Sequence, residues 1–496
     1  MLNKLKYTAK HTLIYSLGNM STKLIGLVLL PLYTSYLSTE EYGMFAILEV
    51  TSQLLTIALG FQLSTAMLRF SSTEKSEEKR KSIIFIALVS TFFSVILLNL
   101  VFQPFSKELS NLFFNKIDYK SYFTILFLWS SFEIFNRLFL NYLRLKDKSM
   151  FFMILTIVKV TVILLFNIYF IVSLKWGIKG IILSQLIGSF LVFLVILPQI
   201  LKSTKFIFDF AIFKSMFKYG FPLIFSGISM LLLAMGDRYL LKYFLSYSEV
   251  GIYSLGYKIA GLINMLLIQS FQLGFLPIAF KMYTQPNAKR YFSKVLTYYT
   301  FVLIFVSLAL TFYSKELIMF LSNKQSYVIA YTVVPIITLA FIFKGLQYVF
   351  SLGLHYAKKT HYNAIIVPVM VLFNLGINIL LIPKISFYGS AVAAVFSNLI
   401  MAVLFYHYSQ KLYYISFEIR KVFLMFVVGF VLFGISLLTS YINIYIGMII
   451  KLFLLFSFPF ILYLFNFYEA IEIASIKGFY KKWKNPKNWK NNLIKR

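Results

Sequence analysis

The sequence predicts an all-α membrane protein of about 14 transmembrane helices, and three observations carry that prediction. Hydrophobic residues make up 60% of the 496 positions and charged residues only 13%, far below the near-quarter charge of soluble domains. The apolar residues fall in runs of roughly 20, the length that crosses about 30 Å of hydrocarbon. Lysine and arginine gather in alternate gaps between those runs, the charge asymmetry that fixes topology.

The runs lie near 12–36, 42–68, 82–104, 121–143, 150–172, 177–200, 214–237, 249–276, 292–314, 327–350, 363–383, 387–408, 421–440 and 444–466. They are continuous, unlike the roughly ten-residue alternating segments of an outer-membrane barrel, so each reads as a helix. The first lacks a small-residue cleavage site and is too long for a signal-peptide core, so it is expected to stay in the mature chain. Both tails and the even-numbered gaps hold roughly 33 Lys and Arg, against about 10 in the odd-numbered gaps. Lys75, Lys79, Arg80 and Lys81 mark one basic loop, and Lys281, Lys289, Arg290 and Lys294 another; the tail from Lys477 to Arg496 is also basic. Both termini are therefore expected in the cytoplasm, which requires an even span count.

Net charge is +31, but the basic residues are spread over short gaps and form no basic domain, so nucleic acid is not an expected partner. The absence of cysteine excludes disulfides, thiolate metal sites and cysteine nucleophiles. The four histidines are too scattered to suggest a metal site, and no Walker-type phosphate loop is present. No cofactor is expected.

The chain repeats itself. Leu37-Ser38-Thr39-Glu40-Glu41-Tyr42-Gly43-Met44-Phe45 matches Leu245-Ser246-Tyr247-Ser248-Glu249-Val250-Gly251-Ile252-Tyr253, an offset of about 208 residues. Asn167-Ile168 recurs at Asn378-Ile379, and Gly180 with its following apolar run recurs at Gly389 with Ser390 to Phe396. Six spans separate repeat equivalents, an even number, so both halves enter the membrane in the same direction and are related by an axis along its normal. The expected architecture is two parallel-repeat six-helix lobes around a central cavity: an N-lobe at 1–205 with spans 1–6 and a C-lobe at 206–415 with spans 7–12. An additional helix pair at 416–466 and a basic cytoplasmic tail at 467–496 follow.

Ionisable residues inside spans are costly and face protein or water. Span one places Ser16, Asn19, Lys23 and Gly26 on one stripe, and span two places Glu49, Gln53, Thr56, Gly60 and Ser64 on another. Span four lines up Ser130, Glu133, Arg137, Asn141 and Arg144, with Glu133 and Arg137 at ion-pairing i,i+4 spacing. Lys159 and Lys258 are isolated cations on spans five and eight. Lys23, Arg137, Lys159 and Lys258 are the candidate substrate-binding cations, arginine as a bidentate phosphate partner and lysine as a point charge. Glu49, Glu133, Asp237 and Arg238 are the candidate ion-coupling or charge-partner residues. Glu49 reads either as the partner of Lys23 or as a proton-coupling carboxylate. Glu133 with Arg137 reads equally as a structural pair or a substrate contact; Asp237-Arg238 reads more readily as a helix-end or inter-lobe pair.

The chain resembles the Wzx-type polysaccharide flippases, within the superfamily that also holds the MATE drug exporters and the lipid II flippases. The resemblance rests on Pro31-Leu32 with Leu37 to Phe45, Arg69-Phe70 closing span two, and Asp237-Arg238 with Glu249 to Tyr253. Tyr388-Gly389-Ser390-Ala391, opening span twelve, completes it. It covers nearly the whole chain with short, mostly structural motifs. It implies a multi-pass protein of the bacterial inner membrane that flips an undecaprenyl-diphosphate-linked oligosaccharide to the outer leaflet by alternating access. Membrane lipids, a coupling H+ or Na+ and other polysaccharide-assembly membrane proteins are the further partners it leaves open. A lipid II flippase and an ion-coupled drug exporter are the neighbouring alternatives. Drug exporters favour intramembrane carboxylates, whereas cations outnumber acids within these spans. A membrane polysaccharide polymerase or acyltransferase would carry catalytic residues on sizeable loops, and the longest gaps here are about 20 residues.

Overall fold

In the computed structural model, the described residues are 25–283, 285–357, 359 and 361–474, and their regular elements are helices. Thirteen helices among them are long and apolar enough to cross a membrane, and a shorter apolar helix covers Ile25–Tyr36. The earlier part of the first expected span, and with it Lys23, lies outside the described residues.

The helices that matter for function are α1 (Leu30–Tyr36), α2 (Thr39–Leu59), α3 (Leu63–Thr73), α4 (Glu77–Phe102), α5 (Lys120–Leu145), α6 (Ser149–Ile168) and α7 (Gly177–Lys202). They continue as α8 (Phe210–Met235), α9 (Asp237–Phe244), α10 (Tyr247–Ile263), α11 (Ser270–Met282) and α12 (Ala288–Phe312). The remainder are α13 (Val334–Phe350), α14 (His361–Ile385), α15 (Tyr388–Leu412), α16 (Ile419–Leu437) and α17 (Ile444–Leu464).

The chain divides into two compact units. The first comprises Met1–Lys281 and Ser314–Tyr413; the second comprises Met282–Tyr313 and the chain from Tyr414 on. Within the first unit the repeat is visible as repeated packing. Helix α7 packs on α5 and α6, just as α15 packs on α13 and α14, and α2 meets α5 as α10 meets α13. Both repeat motifs open their helix with a capping box, Ser38 with Glu41 and Ser246 with Glu249. Each box satisfies two amide N–H groups that a helix start would otherwise leave unpaired. At the second motif pair, Gly180 closes on Phe170 and Gly389 on the Leu381 backbone, in each case where a Cβ would come within 2.7 Å. Asn167 accepts a hydrogen bond from the Tyr33 hydroxyl at 3.1 Å, and its counterpart Asn378 accepts one from Ser390 at 2.7 Å.

Span two is broken in its interior. Gly60 ends α2, and Phe61 and Gln62 adopt left-handed φ values of 44° and 52° before α3 begins. Such conformations are unfavourable for side-chain-bearing residues. Inside a membrane, irregular backbone is tolerated only where protein or a water-lined cavity meets it. Gly220 on α8 supplies part of that contact: the Phe61 carbonyl occupies the place of a side chain there, 2.5 Å from an ideal Cβ position. Span eight is also irregular at the equivalent depth, where residues Asn264–Gln269 form a π-helical segment between α10 and α11.

The second unit contains α12, α16 and α17. At one end of it Lys294 on α12 forms ion pairs with Glu418 at 2.9 Å and with Glu469, while Thr297 donates to Glu418 at 2.7 Å. The chain leaving α17 is thereby fastened to the beginnings of α12 and α16.

Candidate functional site

Span four carries the decisive charges. Glu133 and Arg137 sit one turn apart on α5, but the ion pair expected between them is not formed. Glu133 instead accepts from Lys159 of α6 and from Ser189 of α7, the latter at 2.6 Å. The reason is the environment of Lys159. Apolar residues surround it on α6, and a cation there requires a counter-charge. Glu133 supplies it and stitches three spans together.

That arrangement leaves Arg137 within electrostatic range of Glu133 but outside ion-pairing distance, on the exposed side of α5. It lines a recess of mixed character, with Thr56, Gln62, Ser64 and Thr91 beside Ile57, Ile134 and Leu138, and the recess lies at the break of span two. The recess measures about 10 Å³, roughly the space one water needs. A phosphate requires the spans to part. Gln62 is held there by a hydrogen bond from Thr65 at 3.1 Å.

A second cation, Lys258 on α10, is half-buried with its ammonium 5.9 Å from the centre of the Tyr42 ring. Gly26 makes room for it, since a Cβ at that position would come within 3.0 Å of the lysine Cε. Glu49 and Arg238 lie within electrostatic range of Lys258. Glu49, half-buried on α2, therefore has a cation near it in the described structure, while its expected partner Lys23 lies outside the described residues.

Asp237 and Arg238 form a closed structural pair. Both are buried, their ion pair measures 2.8 Å, and the Tyr253 hydroxyl donates to the other carboxylate oxygen. The guanidinium lies 4.6 Å from the centre of the Tyr257 ring and donates to the Ala234 carbonyl at 3.4 Å. A charge so fully met by neighbours holds the α8–α9 junction in place. Of the predicted residues, then, Glu133 and Lys159 come together, Lys258 and Glu49 come near each other, and Arg137 stands apart at the recess.

Two features escaped the sequence reading. Lys344, in the middle of α13 with its ammonium 5.8 Å from the Phe341 ring centre, is a basic residue within an apolar span, the same sequence feature that picks out Lys159. The break at Phe61-Gln62 carries no proline, and its single glycine was read as part of a helical stripe.

With this geometry in view, comparison with known proteins is informative. The family model described as polysaccharide biosynthesis protein matches residues 8–283, more than half of the chain. The chain belongs to the polysaccharide biosynthesis protein family. This membership places it among multi-pass membrane transporters. A relative, an uncharacterized membrane protein of Methanocaldococcus jannaschii, is 24% identical over 430 residues, covering 80% of this chain and 83% of its own. Among solved structures, the lipid II flippase MurJ in an inward closed conformation superposes with a TM-score of 0.74 at 19% identity, over 91% of this chain and 99% of that one. An inward-facing MATE multidrug transporter of the MOP superfamily gives 0.65 at 13% identity, over 80% and 94%. A Vibrio cholerae MATE transporter gives 0.60 at 14% identity, over 82% and 96%. These likenesses show that this polysaccharide biosynthesis protein has the multi-helix fold of that superfamily.

Proposed function

We propose that the protein is a flippase that moves a polyisoprenyl-diphosphate-linked saccharide across the membrane by alternating access, from the cytoplasmic to the outer leaflet of a bacterial inner membrane. The observation that carries this reading is Arg137: an exposed arginine in a membrane span, without an ion-pair partner among the described residues, lining a recess at a helix break. A diphosphate is the chemistry such a group recognises, because a guanidinium offers paired donors to phosphate oxygens. Lys258 adds a second positive charge, and Lys23 is proposed to act with them. Lys159 takes the lesser role of holding Glu133.

The saccharide is the finer question. The likeness to the lipid II flippase, with higher coverage and TM-score than the MATE likenesses given above, favours lipid II. The family description, polysaccharide biosynthesis protein, supports the second reading, an oligosaccharide repeat unit for a surface polysaccharide. Both share the carrier diphosphate. A cationic drug is the poorest match to a pathway whose unpaired intramembrane charge is an arginine.

Native mass spectrometry of the purified protein offered equimolar lipid II, an undecaprenyl-diphosphate-linked oligosaccharide and a cationic dye tests this. Retention of a diphosphate lipid, lipid II foremost, is expected. Retention of the dye alone would overturn the reading.

A further inference from the structure

The turn that breaks span two separates two differently furnished spaces. Gln62 and Ser64 line the recess with Arg137. Phe61 and Leu63, alternating with them, line an apolar groove of about 260 Å³ together with Phe93, Leu97, Phe208, Phe213 and Phe217. Span three contributes to both spaces: Thr91 lines the recess, while Ser90 and Ser94 line the groove beside Phe93 and Leu97. The Phe61–Ser64 segment thus contributes to both a cation-bearing recess and a phenylalanine-rich groove. The groove is open to its surroundings, with Phe93 64% and Leu97 46% exposed. Its aromatic floor is continuous, ring centres lying 5.6 Å apart for Phe61 and Phe217 and 5.9 Å apart for Phe213 and Phe217. It runs from the α7–α8 connection, where Phe208 lies, to the middle of spans two and three.

The geometry points to this groove as a docking site for the polyisoprenyl chain of a lipid diphosphate, holding the isoprene units next to the headgroup while the diphosphate reaches Arg137. The argument is one of paired chemistry. A ligand with a charged head joined directly to a branched apolar chain presents both surfaces side by side, and the Phe61–Ser64 segment lines both a cation-bearing recess and an apolar groove. A phospholipid chain would satisfy the groove alone; only a diphosphate head would also draw on Arg137. Aromatic walls suit the flat, branched isoprene unit. Gln62, held by Thr65, stands between the two compartments. This inference rests on the lipid-diphosphate reading of the function and adds to it where the chain portion lies.

The test is photoaffinity labelling of the full-length protein in nanodiscs with undecaprenyl diphosphate bearing a diazirine near its head, the labelled residues being mapped by mass spectrometry. Labelling is expected on Phe93 and on the peptide holding Phe208 to Phe217. Excess unlabelled undecaprenyl diphosphate should lower it about tenfold, and Arg137→Gln should lower it comparably. The same excess of phosphatidylglycerol should leave it unchanged. Leu97→Trp, at an exposed position outside the tightly packed core, should fill the groove and lower labelling without loss of folded protein. Equal displacement by phosphatidylglycerol, or labelling spread evenly over lipid-facing helices, would overturn the inference and leave only bulk lipid in the groove. Transport of lipid-linked saccharide by wild-type protein with an unlabelled groove would overturn the groove alone. Specific groove labelling in a protein that transports no such saccharide would uphold the groove and overturn the transport reading.

Discussion

Gly43 and Gly251, repeat equivalents 208 positions apart, face each other where α2 crosses α10: a Cβ on Gly43 would lie 2.9 Å from the Gly251 amide nitrogen, and one on Gly251 would lie 3.0 Å from that of Gly43. The relationship is reciprocal at the flanking residues as well, since Gly43 abuts the Tyr247 carbonyl and Gly251 the Thr39 carbonyl. Reciprocity of this kind is what a local two-fold axis produces. The side chains of Thr39 and Ser248 close the crossing with a 2.6 Å hydrogen bond.

Alanine at either glycine should therefore destabilise the protein by about 1–3 kcal/mol, because the obstructing atoms are backbone and cannot rotate away. Gly261→Ala and Gly274→Ala, where nothing lies within 4 Å of the added atom, serve as controls. Thermal unfolding followed by size-exclusion chromatography should show lower midpoints for Gly43→Ala and Gly251→Ala only. Unchanged midpoints at the crossing would mean that α2 and α10 are not in this close contact.

Lys159 and Glu133 should behave as one structural unit. Glu133→Gln leaves a largely enclosed ammonium with a weaker partner and should cost about 1–3 kcal/mol, less than a fully buried pair because both side chains keep some solvent contact. Replacing both, Glu133→Gln with Lys159→Met, should recover most of the loss. A double variant no more stable than Glu133→Gln would show that the two groups are not coupled.

Arg137 should separate transport from folding. Arg137→Ala is expected to leave insertion and thermal midpoint near wild type while lowering transport about tenfold or more, and Arg137→Lys should fall between them, keeping charge but losing the bidentate fork. Equal transport by all three would remove Arg137 from the path.

Acid should loosen the second unit. Burial favours the neutral form of Glu418, but hydrogen bonds from Lys294, Thr297 and Lys421 outweigh it and hold its carboxyl below the ordinary value of 4.5. A hydrogen bond from Lys294 does the same for Glu469. A carboxylate whose folded-state pKa is depressed contributes stability above its unfolded pKa, and that contribution is lost as pH falls through the folded value. Amide exchange at residues 414–421 and 466–474, normalised to the intrinsic rate at each pH, should be unchanged from pH 7 to 5 and accelerate below about pH 4. Lys294→Met should accelerate it already at pH 7. Exchange indifferent to both pH and Lys294 would show that the cluster does not fasten this end.

Much of this was legible in the sequence for a physical reason. A helix in lipid must be apolar throughout, so its length and ends are written in composition, and a like-oriented repeat shows as a constant offset between short motifs. Gly43 and Gly251 appeared in that way before their contact was visible. Helical spacing placed Glu133 and Arg137 on one face but could not say that Lys159, 26 residues on, would claim the carboxylate. Pairing between spans depends on helix packing, which leaves little local trace. The break at Phe61-Gln62 was hidden for the opposite reason: neighbouring helices impose it on residues with no intrinsic preference for it. Lys344, by contrast, is legible in the sequence as a basic residue within an apolar span.

The most direct test of the account is translocation in proteoliposomes, comparing wild-type protein with Arg137→Ala, using fluorescent lipid II and a fluorescent undecaprenyl-diphosphate-linked oligosaccharide and scoring protection from an external quencher. Wild-type protein is predicted to move at least one of these, lipid II foremost, and Arg137→Ala to fail on the same substrate while remaining folded. Movement of neither by folded wild-type protein, or undiminished movement by Arg137→Ala, would contradict it.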